Sequence, residues 1–163
     1  MYDWDDKDGE GKISRLYKKL QSAGYSPEMK NKMRVILNHP EMKARDIRAY
    51  ASSWHDVGLI FITTNYGVYE IGTTHSVDKA FDMIVDTYKS FVEGYPYVEK
   101  DCRYKMKFPD EGPGDGLIHC MAYSYSHRKD GKHWGNYPVC CAKECPLANR
   151  DLLEGATLDW VKV

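Results

Sequence analysis

The chain lacks any apolar run of about eighteen residues, the length a membrane-spanning helix needs, so its 163 residues hold no helical membrane span. Its first residues, MYDWDDKDGE, lack the basic segment and the apolar core of a secretory leader. A cytoplasmic, reducing setting is the expectation. The cysteines do not make an even set. Five of them without a leader argue against a disulfide framework and for metal ligands or free thiols. Catalytic signatures are missing as well. There is no H-E-x-x-H, no H-x-E with P-C-x-x-C, no phosphate-binding loop and no dinucleotide fingerprint. Internal repeats and low-complexity segments are also missing. The chain is therefore expected not to be an enzyme. Phe and Trp are scarce at four each, whereas Tyr reaches thirteen. Tyrosine joins an apolar ring to a polar tip and is frequent at interfaces, which points to a macromolecular partner.

Net charge is almost lacking, at −1, but the charges are segregated. Residues 1–11 carry five acids and one lysine. Residues 12–50 carry ten Lys and Arg against three acids, a net of +7, and residues 51–99 carry two bases against seven acids, a net of −5. A basic layer beside an acidic one can meet two different surfaces. The basic layer, through Lys18, Lys19, Lys30, Lys32 and Arg34, makes a nucleic-acid-binding module the rival to a protein partner.

What is present reads as an α+β protein with 42% hydrophobic residues, enough for a core at this length. Residues 1–11 form an acidic start and 12–163 a single domain. Ile13, Leu16, Tyr17 and Leu20 recur at helical spacing, and Gly24 stops that helix, predicted over 13–23. Ser26-Pro27 opens a second predicted helix, with Met29, Met33, Ile36 and Leu37 on one side until His39-Pro40. Residues 12–39 are thus expected to form a helical hairpin. Residues 44–94 read as an antiparallel three-stranded meander (DIRAYASSW, VGLIFITT, GVYEIG) covered by one long helix. That helix opens at Ser76, carries Val77, Ala80, Phe81, Ile84, Tyr88, Phe91 and Val92 as its stripe, and ends at Gly94. CRYKMKF and LIHCMAYSYS read as a further strand pair around the loop DEGPGDG. From His127 the periodicity is lost. The tail LLEGATLDWVKV is apolar enough to pack back as a helical turn and a strand.

All five cysteines and three of the six histidines fall between residues 102 and 146. Soft thiolates and imidazoles at this density are the donors of a tetrahedral zinc site. Cys140 or Cys141 stands with Cys145 at a spacing near that of a zinc knuckle, between Pro138 and Pro146. His133 can reach back, and Cys120 or Cys102 on the preceding strands can complete the set. His127 and His119 are substitutes. The candidate ligands are thus Cys102, Cys120, His133, Cys140 and Cys145, for one Zn2+ or two. Ordering an irregular loop costs about 1–2 kcal/mol per residue, and a structural zinc ion returns about 10–16 kcal/mol. Cys120, in an apolar strand, also suits a core position, and Cys141 suits a bystander. A thiol enzyme built on Cys140 and His133, or a catalytic zinc with Glu144 or Asp130, lacks any motif to support it.

The opening DWDDKDGEGKIS resembles an EF-hand loop, with Asp6, Asp8 and Glu10 at alternate places and Gly11 at the sharp turn. Tyr17 stands where the final bidentate acid belongs, and no helix can precede the loop, so calcium is not expected there. In general format (small, cysteine-bearing, tyrosine-rich, without catalytic motif) the chain is similar to small phage zinc-containing anti-CRISPR proteins. That resemblance assigns no residues. It implies a protein partner, a Cas effector nuclease in the host cytoplasm, inhibited sterically by acidic faces in 51–99 and the amino terminus.

Overall fold

The computed structural model of the chain describes residues 7–40, 45–51, 58–66, 70–99, 101–109, 116–123 and 138–149. Its architecture is α+β. Two compact units divide it, Met1–Thr64 with Ile71–Thr87, and Asn65–Glu70 with Tyr88–Val163. Among the described residues no helix is long and apolar enough to cross a membrane.

In the first unit, Ile13, Leu16 and Leu20 are fully buried along one side of helix α1 (Lys7–Ser22). The helix starts ahead of the predicted residue 13. Asp8, Glu10 and Gly11 are therefore helical positions and not a cation-binding loop, and Asp6 lies outside the described residues. Acidic residues are favourable at a helix amino end, which suits this early start. Gly24, at φ +97°, ends the helix, with the Tyr25 N–H donating to Leu20 O at 3.1 Å.

The second predicted helix is instead a β-hairpin of β1 (Glu28–Asn31) and β2 (Arg34–Asn38). Met29, Met33, Ile36 and Leu37 fit a helical face, yet two features favour extension. Asn31 makes the turn by accepting the Met33 N–H on its side chain at 2.8 Å. Val35, Ile36 and Leu37 are also all buried, as a strand between two partners allows. β3 (Asp46–Ala51), β4 (Ile60–Thr64) and β5 (Glu70–Thr74) complete a sheet in the order β1-β2-β3-β4-β5. The expected three-stranded meander is thus the latter part of a five-stranded sheet. The connection at His55-Asp56 lies outside the described residues.

Register decides which face does what. Val35, Ala49 and Ile62 form one cross-strand row, and Leu37, Ile47 and Thr64 another. All six are buried, on the face that α1 covers. The opposite face carries Arg34, Tyr50 and Phe61 in one row and Ile36, Arg48 and Thr63 in the next. Helix α2 (Val77–Tyr88) buries Ala80, Ile84 and Thr87. Ser76 caps it by accepting the Lys79 N–H at 3.2 Å. Ser76→Ala is expected to cost about 1 kcal/mol, read as a small shift in the urea midpoint at unchanged slope. Lys19 of α1 pairs with Asp78 of α2 and stands 4.8 Å over the Phe81 ring. The pair is solvent-exposed and contributes little.

In the second unit, α2 gives way to a π-helical turn over Lys89–Glu93. Phe91 is buried there and stacks on Tyr66, with ring centroids 5.8 Å apart. Gly94 closes the turn, its N–H on Lys89 O at 2.7 Å. A Cβ at Gly94 would stand 2.8 Å from Ser90 O, a backbone atom that cannot swing away. Gly94→Ala is expected to lower stability by about 1–3 kcal/mol, measurable by thermal melting. β6 (Lys105–Lys107) and β7 (Ile118–Cys120) pair antiparallel, as the sequence suggests, with Lys105 opposite Cys120 and Lys107 opposite Ile118. Beyond β7 the expected strand gives way to a 3-10 turn at Met121–Tyr123. The loop at 110–115, the segment 124–137 and the tail 150–163 lie outside the described residues.

Candidate metal centre

The β6–β7 pair positions the first two thiols. Cys102 stands just before β6, and Cys120 is the last residue of β7. The chain then returns beside β7. The Cys120 N–H donates to Pro138 O at 2.8 Å, the Cys140 N–H donates to Ile118 O at 2.9 Å, and His119 bridges Val139. This third extended segment sets Cys140 opposite Ile118, on the same side of the pairing as Cys120 and diagonal to it. A 3-10 turn at Ala142–Glu144 then reverses the chain and delivers Cys145. Asn149 clamps that reversal, its side-chain amide donating to Ala142 O at 2.7 Å and Cys145 O at 3.0 Å.

The consequence is one pocket lined by Cys102, Cys120, Cys140, Cys141 and Cys145, with His119 in its wall. Four sequence-predicted ligands, Cys102, Cys120, Cys140 and Cys145, are brought together. The fifth, His133, lies outside the described residues, as do His127 and Asp130. Among the described residues no three His, Cys, Asp or Glu side chains stand closed around a point at which an ion could sit. Sharing a pocket is the looser relation, and it is the one the fold fixes through the backbone pairings above.

Backbone N–H groups are aimed at the sulfurs. The Val98 N–H donates to Cys140 Sγ at 3.0 Å. Val98 adopts φ +29°, a conformation that costs a β-branched residue about 1–3 kcal/mol. The Tyr97 N–H beside it donates to Cys140 O at 3.3 Å. The Leu147 and Ala148 N–H groups reach the Cys145 sulfur, and the Ala122 N–H reaches that of Cys120. At Cys120 and Cys145 such donors favour the thiolate, yet burial outweighs them. Burial pushes the Cys120 thiol up to about 12, and the neighbouring Cys102, Cys145 and Cys140 add to the shift. Cys145 is also raised, first by burial. Cys141 is pushed up to about 12 by burial and is the one fully buried cysteine.

His119 has no exposed surface, and its ring stacks on Phe108 with centroids 4.3 Å apart. It packs as a core side chain in the pocket wall. Sequence reasoning missed Glu99, which lines the same pocket, and the Val98 N–H. Neither carries a spacing signal. A usable signal was Cys145-Pro146, a proline that turns the chain so that the next two N–H groups face back. No protein-family model, curated protein or solved structure matches this chain.

Proposed function

We propose that the protein is a non-catalytic binding module whose C-terminal unit is held by a structural Zn2+ ion on Cys102, Cys120, Cys140 and Cys145. One observation carries this reading: four thiols from three separate chain segments line a single pocket. Backbone N–H groups stand on three of those sulfurs. Four soft donors suit tetrahedral zinc and leave no open position, which is the structural rather than the catalytic pattern. Cys141 is left out. It follows Cys140 in extended chain, where neighbouring side chains point to opposite sides. Cys102, Cys145 and Cys140 stand near enough to raise the Cys120 thiol further. The zinc-supported segments carry little regular structure, so the ion does work that hydrogen-bonded ladders do elsewhere.

Cobalt substitution tests the ligand set. The Co2+ form is expected to show sulfur-to-metal charge transfer and the intense visible bands of a tetrahedral site. Cys145→Ser should abolish or shift those bands, and Cys141→Ser should leave them unchanged. A weak octahedral spectrum contradicts the reading.

A second reading concerns the partner. Asp78, Asp82 and Asp86 lie at successive turns of α2, all exposed, with Asp78 paired to Lys19. That line favours a basic protein surface, as the format of a phage inhibitor of a Cas nuclease requires. Pull-down against such a nuclease is expected to retain the protein at low salt and release it as salt rises. No retention at low salt contradicts it.

A further inference from the structure

We propose that the sheet face opposite α1 is a platform for single-stranded nucleic acid. Bases would stack on Tyr50 and Phe61, and phosphates would be held by Arg34 and Lys32. The inference names a partner class for the binding module above, and rests on that reading only in treating the protein as a binder. It does not depend on the zinc.

The row that carries it crosses three strands. Arg34 of β2 is opposite Tyr50 of β3, which is opposite Phe61 of β4. The Arg34 guanidinium stands 5.9 Å from the Tyr50 centroid. The Tyr50 and Phe61 rings stack at 5.3 Å with an interplanar angle of 11°. Both rings are half-buried and Arg34 is exposed. Neighbouring strands are about 4.8 Å apart, so three of them span about 10 Å, room for two stacked bases.

The charges beside this row have the matching sign. The face and its β1–β2 turn hold Lys30, Lys32, Arg34 and Arg48 against Glu28 and Asp46. Glu28 pairs with Lys30 at 3.3 Å. Asp46 grips Arg48 through Nε at 2.9 Å and Nη2 at 3.0 Å, which fixes the plane of its guanidinium. That leaves Lys32 and Arg34 as the net positive charge next to the aromatic row. An acidic peptide would use the cations but not the rings, and an apolar partner would use the rings but not the cations. A single strand uses both. A duplex hides its base faces and has only phosphates to offer.

The basic residues of 12–50 therefore do not form one helical layer. Lys19 is engaged with Asp78 and Phe81 on α1. Lys30, Lys32 and Arg34 belong to the hairpin at the sheet's far edge.

Fluorescence anisotropy with labelled oligonucleotides of about 12 nucleotides, at about 50 mM salt, tests this on the full metal-loaded chain. Single-stranded DNA or RNA is expected to bind at least about tenfold more tightly than duplex, with affinity falling as salt rises. Arg34→Glu and Tyr50→Leu, checked for unchanged circular dichroism, should each weaken binding about tenfold or more. Three results overturn the proposal: no binding by any single strand, binding that both variants leave unchanged, or an oligoglutamate of equal charge binding as tightly. Metal content measured on the same samples separates the two claims. Zinc present without oligonucleotide binding sinks only the platform, and binding without zinc sinks only the metal centre.

Discussion

Removing the proposed zinc is expected to unfold the C-terminal unit while the five-stranded sheet keeps its protection. Zinc in such a site supplies about 10–16 kcal/mol, comparable to or larger than the whole stability of an ordinary domain at about 5–15 kcal/mol. Once the ion leaves, residues 138–149 keep one isolated bridge, one 3-10 turn and a few backbone hydrogen bonds. The entropy of ordering such chain, about 1–2 kcal/mol per residue, then dominates. Hydrogen exchange read by mass spectrometry, with and without a strong chelator, checks this. Amides of residues 117–122 and 139–145 should exchange fast after chelation, and those of 34–38 and 60–64 should not change. Cys140→Ser and Cys145→Ser should reproduce the chelated pattern. Acidification should act in the same sense, because protons compete for the sulfurs and burial already holds the Cys120 and Cys145 thiols above their ordinary values. Zinc at the proposed site is therefore expected to be retained at higher pH and lost as pH falls, read as metal content after equilibration across the range.

Truncating Ile62 is the second large effect. Ile62 has no exposed surface and sits opposite Ala49 in the row that α1 covers. Val35, Ala49 and Ile47 of the same face are buried to 2%, 1% and 1%, so Ile62→Ala opens a cavity inside a closed core whose strand backbones are held by their ladders. The expected loss is about 2–5 kcal/mol. The next residue makes the control. Thr63 points to the other face and is half-exposed. Thr63→Ala should cost within about 0.5 kcal/mol. Urea unfolding followed by circular dichroism distinguishes the two. Equal effects would mean that the register, and with it the assignment of the faces, is wrong.

Much of this fold is legible in the sequence where one period dominates. The stripe of α1, the helix opened by Ser76, the strands at 46–51 and 60–64, and the β6–β7 pair all follow from spacing and turn residues. Residues 28–38 were illegible for a stated reason. Met29, Met33, Ile36 and Leu37 satisfy a helical face, and the strand is selected by the Asn31 turn together with pairing to β3, a tertiary effect that local spacing does not contain. The sheet face at Tyr50 and Phe61 was hidden likewise, because cross-strand rows depend on register. The candidate centre was partly legible. Thiols were expected to group, but that all five line one pocket depends on Cys140 lying beside β7 and on the reversal that Asn149 clamps. His119 was a substitute ligand by composition, and its stacking on Phe108 appears only in the folded unit.

Elemental analysis of protein purified without a metal-binding tag is the most direct test of the central claim. The expected result is one zinc per chain, retained through gel filtration and lost in Cys145→Ser. Protein that carries no zinc, takes up none on reconstitution and melts identically with and without chelator would contradict it.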